Sequence, residues 1–358
     1  MNAIRNPQSA IRNRMNRRDF LHPRHLAVTA GHVLAATLDE PIAEMPEISL
    51  LRMARRAMAT TFEIVVPFGT PAACETAATA FDLLDELEAQ MTVYRDTSEV
   101  SQLNRVAFRQ AVPVEDRLFG LLALAERLTR ETAGAFDVTA GALIKAWGFF
   151  KGPKRVPEPA ERAAVLARVG MHRVRLEAAN RTVRYLVPGL EINLGAIGKG
   201  YALDRMAEAL TTAGILAPCL LQGGHSSVYA KGSPGGERGW PIDLRHPWEA
   251  GRRLARVWLR DRALGTSAAT FQHLEYQGRK LGHVLDPRRG WPAAGIASAS
   301  VLAPTGAEAD ALSTAFFVGG VELARQYCDA HSDVGAVLLP EGAEAPVLLG
   351  IAPGEVIV

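Results

Sequence analysis

Cysteine is scarce in this sequence of 358 residues, and its three copies, Cys74, Cys219 and Cys328, lie far apart without forming a CxxC pair. Zinc and iron–sulfur sites need clustered thiols, so this spacing disfavours both, and three cysteines exclude a disulfide framework. A single disulfide stays open as an alternative. The preferred interpretation is three isolated buried thiols, because a reduced cysteine behaves as a small apolar side chain.

Long apolar runs and a strong net charge are also missing. Outside the N-terminal head, no stretch reaches the roughly 18 uninterrupted apolar residues of a membrane-spanning helix, so we expect no membrane span. The formal net charge is +2, but residues 1–24 carry six arginines against one acid. Subtracting this local +5 from the total leaves −3 for the rest of the chain. A slightly acidic body lacks the basic surface of a nucleic-acid binder, so we expect no nucleic-acid partner.

The head resembles a twin-arginine export signal. An arginine pair at positions 17–18 is followed by an apolar pair and then by a weakly apolar run over residues 26–38. A disordered basic tail is the alternative, because histidine and proline interrupt the run. We expect a periplasmic or otherwise exported protein if the signal is used, and a cytoplasmic one if not. The predicted organisation is a signal or tail over 1–38, a linker over 39–51 and one domain over 52–358.

Helix and strand patterns are intermixed along that domain. Phe81, Leu84, Leu87 and Met91 step by three or four, which predicts an amphipathic helix from residue 72 to residue 91. Because the patterns follow no strict βαβ rhythm, the α+β class is favoured. The other elements on which this rests are helices over 116–130, 157–169 and 307–317, the last closed by Gly319 and Gly320, and a hairpin over 174–185.

The stretch Glu191–Arg205, EINLGAIGKGYALDR, is the most distinctive of the chain. It predicts the end of a strand, a turn with Gly195, Gly198 and Gly200, and a helix. Backbone N–H groups at such a turn can meet a phosphate. The spacing is neither the dinucleotide fingerprint nor the Walker loop. A tight turn that needs positive φ is the equally open alternative.

Two further patterns carry polar side chains. Asp310 and Thr314 share one face of a helix, and their oxygens suit Mg²⁺ better than zinc, although an intrahelical hydrogen bond or a solvated face explains an isolated pair as well. His283 precedes a turn and could act as a general base at neutral pH, or be structural. Asp286, followed by Pro287, is equally well explained as a turn starter.

These patterns belong to a longer set of motifs that stand in a fixed order along the chain: Met58-Ala59-Thr60, Tyr94 with Ser98–Asn104, Gly134–Asp137, Trp147–Phe149, Leu194–Tyr201, Gly223-Gly224, Thr266-Ser267, His283–Pro287 and Ala309–Thr314. Together the motifs resemble the ApbE family, the FAD:protein FMN transferases, over roughly residues 52–340. The resemblance implies an ApbE-like, T-fold-related architecture of mixed sheet and helix.

The resemblance also implies the chemistry and its residues. An ApbE enzyme uses Mg²⁺ to split the pyrophosphate of its substrate FAD and moves FMN onto a Ser or Thr of an acceptor protein, for example a membrane redox-complex subunit. His283 corresponds to the base that activates the acceptor hydroxyl. The metal ligands correspond to the carbonyl of Ala196 and the side chains of Asp310 and Thr314. The FAD contacts correspond to Met58, Tyr94, Ala135, Phe136, Asp137, Asn193, Lys199 and Val284.

Four positions depart from the family pattern. Asn193 and Ala307 stand where acids are usual, Ala268 replaces a glycine, and His225 replaces an aspartate. Fewer acids beside a cation should weaken Mg²⁺ binding. Two alternatives to FMN transfer therefore stay open: hydrolysis of FAD to FMN and AMP, and non-catalytic FAD binding by an exported protein.

Overall fold

The fold is described here by a computed structural model over residues 48–215, 218–236, 238–249, 251–268 and 273–358. The predicted export signal and most of the predicted linker lie outside these ranges. The first strand begins at Leu50, so the last two positions of the predicted linker are strand residues. Three arginines, Arg52, Arg55 and Arg56, lie on this edge strand of the main sheet, and charged side chains are typical of a sheet edge.

Eight strands of the described chain form the main sheet, in the order β1-β2-β6-β7-β10-β15-β16-β17. The pairings from β2 to β17 are antiparallel. The strands, numbered along the chain, are Leu50–Ala57 (β1), Thr60–Pro67 (β2), Val112–Pro113 (β3), Val174–Glu177 (β4), Thr182–Tyr185 (β5), Cys219–Gly223 (β6), Ser227–Lys231 (β7), Trp240–Arg245 (β8), Arg253–Leu259 (β9), Arg262–Ala268 (β10), His273–Tyr276 (β11), Arg279–Gly282 (β12), Leu285–Asp286 (β13), Trp291–Pro292 (β14), Ile296–Ala303 (β15), Gly335–Pro340 (β16), Val347–Leu349 (β17) and Val356–Ile357 (β18).

Smaller sheets complete the strand structure of the described residues. The predicted hairpin is confirmed, since β4 pairs antiparallel with β5, and β3 joins the other edge of β5. A second sheet of three strands has the order β18-β9-β8, and β11–β12 and β13–β14 form two-stranded ribbons. These ribbons bracket His283 and Val284, which therefore lie between two short paired segments.

The helices bury the faces that their apolar spacing predicts. In Ala73–Met91 (α1), the four predicted positions are all buried. Glu99–Val106 (α2) is capped by Ser98, whose side chain accepts from the Ser101 N–H. The remaining α-helices of the described residues are Asp116–Glu131 (α3), Gly141–Ala146 (α4), Pro159–Leu166 (α5), Gly198–Thr212 (α6) and Gly306–Ala330 (α7).

Helices α6 and α7 form the layer that carries most of the predicted site. Helix α6 packs on β6 and β7, α7 packs on β10 and β15, and the two helices contact each other, so both cover the same face of the main sheet. The sequence predicts that α7 is closed by Gly319 and Gly320. The structure has non-helical backbone at Gly320, with φ of 78° and ψ of −173°, but the predicted end is wrong because helix resumes beyond it and runs to Ala330. Mixed sheet and helix confirm the α+β class.

The three cysteines were predicted to be buried, and this holds for two of them. Cys219 and Cys328 are buried free thiols, as predicted, but Cys74 is exposed, because it falls on the solvent side of α1 next to the buried Ala73. Within the ranges described, no helix is both long and apolar enough to cross a membrane.

Candidate active site

The glycine-rich stretch forms a turn that leads into α6. Only an isolated parallel bridge between Glu191 and Ala140 marks the predicted strand end, so the expected regular strand is wrong. The Asn193 Oδ1 accepts from the Gly195 N–H at 2.9 Å and thereby closes the turn. Aspartate would make the same bond, so this departure from the family pattern removes a charge but keeps the turn.

Close packing, rather than positive φ, explains Gly200 among the glycines around Lys199. None of Gly195, Gly198 and Gly200 has positive φ, so the tight-turn alternative is wrong in its physical reason. A Cβ placed on Gly200 would lie 1.8 Å from the carbonyl oxygen of Gly306. Helices α6 and α7 therefore touch backbone to backbone at this point, which only glycine allows.

This contact brings Asp310 of α7 to the start of α6. Its Oδ2 accepts from the Gly200 N–H at 2.7 Å, and its Oδ1 accepts from the Ser227 hydroxyl at 2.7 Å. Only 5% of Asp310 is exposed, which rules out the alternative of a solvated face. Burial raises the pKa of its carboxyl, while the charge of Lys199 and the two hydrogen bonds oppose that shift.

A group of hydroxyls lies beside this carboxylate. The Thr314 hydroxyl is 3.3 Å from the Ser267 hydroxyl and donates to the main-chain carbonyl of Asp310, also at 3.3 Å. The Ser267 hydroxyl is 2.9 Å from that of Ser313. The intrahelical bond left open from the sequence thus goes to the backbone of Asp310 and not to its carboxylate.

The oxygen atoms available here fit a hard cation. The Gly200 N–H lies in the first turn of α6, where it has no acceptor within its own helix, and it donates to Asp310. The candidate ligands are one carboxylate, of Asp310, one hydroxyl, of Thr314, and one carbonyl, of Ala196. No group of three or more His, Cys, Asp or Glu side chains suited to a metal occurs in the described chain. Such a sparse set suits Mg²⁺, which takes one or two carboxylates and completes its shell with phosphate and water oxygens.

The three other departures have different surroundings. Ala307 is 2% exposed, and its N–H donates to Asp204 at 2.9 Å, so its small side chain sits within the contact between α6 and α7. His225 is exposed in the turn between β6 and β7, and Ala268 is the last residue of β10. Neither His225 nor Ala268 carries a carboxylate that could add negative charge to that of Asp310.

The group around Asp310 and Thr314 is the candidate metal side of the site, and the β1–β2 turn carries the predicted FAD contact Met58. Met58 and Ala59 both have positive φ, 48° and 60°, as in the two-residue turns that favour hairpins. The Gly224 N–H donates to the carbonyl of Thr61 at 2.9 Å. A Cβ on the neighbouring Gly223 would lie 3.6 Å from the Lys199 Cβ. The Gly223-Gly224 turn therefore contacts both β2, which follows the Met58 turn, and Lys199.

Tyr94 stands in a different environment, on an exposed aromatic stack. Its ring, in a residue that is 57% exposed, lies 4.6 Å from the ring of Phe150 at an interplanar angle of 14°. The ammonium groups of Lys145 and Lys151 each lie 5.2 Å from the Phe150 centroid. Sequence reasoning missed these three partners. The aromatic run that ends in Phe150 was the available signal, but nothing local links it to Tyr94.

The segment Ala135–Asp137 is largely buried. Ala135 and Phe136 are buried in the core, main chain and side chain alike, so neither residue presents surface to a ligand. The carboxylate of Asp137 is held by the Thr139 N–H and hydroxyl and by the Met171 N–H, and burial raises its pKa. The Asn193 N–H donates to the Val138 carbonyl at 2.8 Å, which brings this segment alongside the glycine-rich turn.

A cavity of about 520 Å³ opens beside Asp137, within the range of ligand pockets. Arg130 and Arg288 give its wall a cationic character, with Glu126 and Asp137 as opposing acids. Asp310, Thr314 and His283 are not among its lining residues. The cavity is therefore separate from the metal side of the site.

His283 and Val284 lie half-buried between β12 and β13. The Val284 carbonyl accepts from the Ala293 N–H at 2.9 Å, which fixes the backbone directly after the histidine. Asp286 is occupied by Arg288, whose Nε and Nη2 each lie 2.9 Å from a carboxylate oxygen. Its main-chain carbonyl also accepts from Gly290, so the turn-starter interpretation of Asp286 is confirmed.

The sequence is similar to those of known proteins. The sequence matches the ApbE family over residues 58–338. It is 32% identical to an FAD:protein FMN transferase of Treponema pallidum over 257 residues, which cover 68% of this chain and 70% of that protein.

Two solved structures have the same fold. An ApbE protein of Thermotoga maritima superposes with a TM-score of 0.77 at 26% identity, covering 84% of this chain and 97% of that one. The flavin transferase ApbE of Vibrio cholerae gives a TM-score of 0.74 at 26% identity, covering 84% and 97%. The family resemblance seen in the motifs is thereby confirmed: the chain belongs to the ApbE family.

Proposed function

We propose that the chain is a Mg²⁺-dependent FAD:protein FMN transferase, which splits the pyrophosphate of FAD and joins FMN through a phosphoester to a Ser or Thr of an acceptor protein. The observation that carries this proposal is the buried Asp310 carboxylate. It accepts from the Gly200 N–H and the Ser227 hydroxyl at the contact between α6 and α7, in a chain of the ApbE family.

Asp310, Thr314 and the Ala196 carbonyl would hold the cation. When bound, Mg²⁺ supplies positive charge that offsets the charge developing on the bridging phosphate oxygens. Lys199 adds a second positive charge on the same side, since its charge acts on Asp310. The N-terminal end of α6, with its backbone N–H groups, favours anions at the same position.

His283 would act as the base for the acceptor hydroxyl. It takes the proton as the hydroxyl oxygen attacks the phosphorus of the FMN half, and the bond to the AMP oxygen breaks with its electron pair, so that AMP leaves. The flavin half would rest against Tyr94 and the Met58 turn. Asp137, Asn193 and Val284 complete the proposed FAD contacts.

FAD hydrolysis and simple FAD binding are the competing functions, favoured by the missing acids at Asn193 and Ala307. The test is a calorimetric titration of FAD into the purified chain with and without Mg²⁺, followed by chromatography for AMP. Binding with Mg²⁺-dependent release of AMP supports an enzyme, and a mass gain of one FMN on a Ser/Thr peptide identifies transfer. AMP release without a mass gain identifies hydrolysis, and tight binding without AMP identifies a flavin-binding protein.

We further propose that the protein acts after export and that its acceptor is a subunit of a membrane redox complex. The twin-arginine pair at positions 17–18 supports the first part. Cell fractionation of a fusion with both arginines changed to lysine tests it: the unchanged fusion should reach the periplasm, and the double variant should stay in the cytoplasm.

A further inference from the structure

We propose that Asp204 of α6 is a positioning residue, which holds α7 in the register that places Asp310 for metal binding. This inference rests on the proposed function, because it concerns the same metal side of the site. It assigns a task to a residue of the glycine-rich stretch that neither binds FAD nor ligates the metal in the proposed mechanism.

The contacts of Asp204 cross from one helix to the other. Its Oδ1 accepts from the Gly306 N–H at 2.6 Å, and its Oδ2 accepts from the Ala307 N–H at 2.9 Å. These N–H groups belong to the first two residues of α7 and have no acceptor within their own helix. Only 9% of Asp204 is exposed, so it satisfies both groups from inside the protein.

Asp310 makes the reciprocal contact in the opposite direction. Asp204 reaches from α6 to the start of α7, and Asp310 reaches from α7 to the Gly200 N–H at the start of α6. Gly200 and Gly306 touch between them. A slip of one residue moves a helix by about 1.5 Å, which is enough to break hydrogen bonds of 2.6–2.9 Å. The two carboxylates therefore fix a single register.

Helix capping alone does not require Asp204. Helix α7 already has an ordinary N-cap, Thr305, whose side chain accepts from the Glu308 N–H at 3.2 Å. Burying a second carboxylate carries a desolvation cost. Beyond capping α7, the Asp204 carboxylate links α6 to α7. Asp310, the proposed metal ligand, links the same two helices in the other direction.

Thr305 supplies a matched control, since Asp204→Asn and Thr305→Ala each weaken a cap of the same helix end. The experiment titrates Mn²⁺ as the metal probe into the full chain, follows free Mn²⁺ by electron paramagnetic resonance, and measures the Kd for FAD without metal and the Tm in parallel. We expect D204N to weaken Mn²⁺ binding about tenfold, as for other groups that orient metal ligands, with the metal-free Kd for FAD unchanged. T305A should lower the Tm and leave Mn²⁺ binding unchanged.

If D204N does not fold, Asp204→Glu replaces it: the longer carboxylate keeps both acceptors but displaces α7, and the same tenfold loss is expected. Unchanged Mn²⁺ affinity in the Asp204 variant would overturn the inference, as would an equal loss in T305A, which would reduce Asp204 to a cap. A wild-type chain that neither binds Mn²⁺ nor releases AMP from FAD would overturn the proposed function, and the inference with it.

Discussion

Two parts of the candidate site, the proposed metal side around Asp310 and the proposed flavin side around Tyr94, are built on opposite principles. Around Asp310, a buried charge is fixed by backbone and hydroxyl donors between two helices that touch at glycines. Around Tyr94, rings stack at the surface, flanked by two lysines. A buried charge must be held rigidly because every unmet hydrogen bond is costly, whereas an exposed aromatic gains contact area when a ligand covers it. Catalysis should therefore be sensitive to small changes on the metal side and tolerant on the flavin side.

The largest effect should follow from removing the charge of the metal side. Asp310→Asn keeps the size of the side chain but loses the carboxylate, so we expect Mg²⁺-dependent AMP release to fall by about 10²–10³-fold, as when a preorganised electrostatic contact is lost. The measurement is AMP production at saturating FAD. Circular dichroism checks the fold, and near wild-type activity in a folded variant would show that Asp310 is not a metal ligand.

A larger side chain at the contact between α6 and α7 should strongly lower the stability of the protein. Gly200→Ala places a methyl group 1.8 Å from the Gly306 carbonyl, so the helices must separate, and we expect a loss of about 3 kcal/mol in the free energy of unfolding. Gly120→Ala in α3 is the matched control, since no atom lies within 4 Å of its Cβ, and it should stabilise by about 0.5–1 kcal/mol. Denaturant unfolding compares the two, and equal values would contradict the close contact.

The pH dependence of stability tests the buried charge of Asp204. Burial raises its pKa from 3.8 to about 7, with Asp310 adding to the shift and Arg205 and the two N–H donors opposing it. The folded state then keeps a proton that the unfolded chain has lost, so this contribution to stability falls as pH rises through 7, by about 1.4 kcal/mol from pH 6 to pH 8.

The measurement is the difference in free energy of unfolding between wild type and D204N at both pH values. Subtracting the variant removes the titrating groups that do not interact with Asp204, whereas Asp310, whose charge acts on Asp204, contributes to the difference as its coupled partner. A difference that does not change with pH would mean that Asp204 is ionised throughout this range.

The smallest effect should come from the flavin side. Phe150→Leu removes the ring that supports Tyr94, and an aromatic pair contributes about 0.5–1.5 kcal/mol, so we expect FAD affinity to fall about threefold to tenfold with turnover at saturating FAD unchanged. Calorimetry gives the Kd, with Phe68→Leu, an aromatic that is 74% exposed, as the control. A loss of turnover without a change in Kd would place Phe150 with the chemistry instead.

Local patterns in the sequence account for much of the fold. The apolar face of α1, the Ser98 cap and the β4–β5 hairpin all depend on residues close in sequence, and each is confirmed. The strand β1 was not predicted, because arginines occupy its exposed positions and its burial comes from the neighbouring β2. The order of the main sheet is likewise set by pairings between distant strands.

The candidate site divides in the same way. The motif order identified Asp310, Thr314 and Lys199, and the structure brings Asp310 and Lys199 together. The motif order could not explain why residue 200 is a glycine, because the contact with Gly306 is not visible in the local sequence. Nor could it pair Tyr94 with Phe150 or Asp204 with Gly306. In each case the partner is set by tertiary packing and not by the periodicity of one element.

The reciprocal contacts of α6 and α7 also determine when the site can form as the chain folds. Gly200 and Asp310 are separated by 110 residues along the chain, and the nine strands β6 to β14 lie between α6 and β15 in the described chain. Contacts so distant in sequence are slow to form, because the loop between them must close first. We therefore expect the carboxylate of Asp310 to reach its donors late in folding, after α1 and the β4–β5 hairpin. A chain truncated before α7 would carry the glycine-rich stretch without its acidic partner.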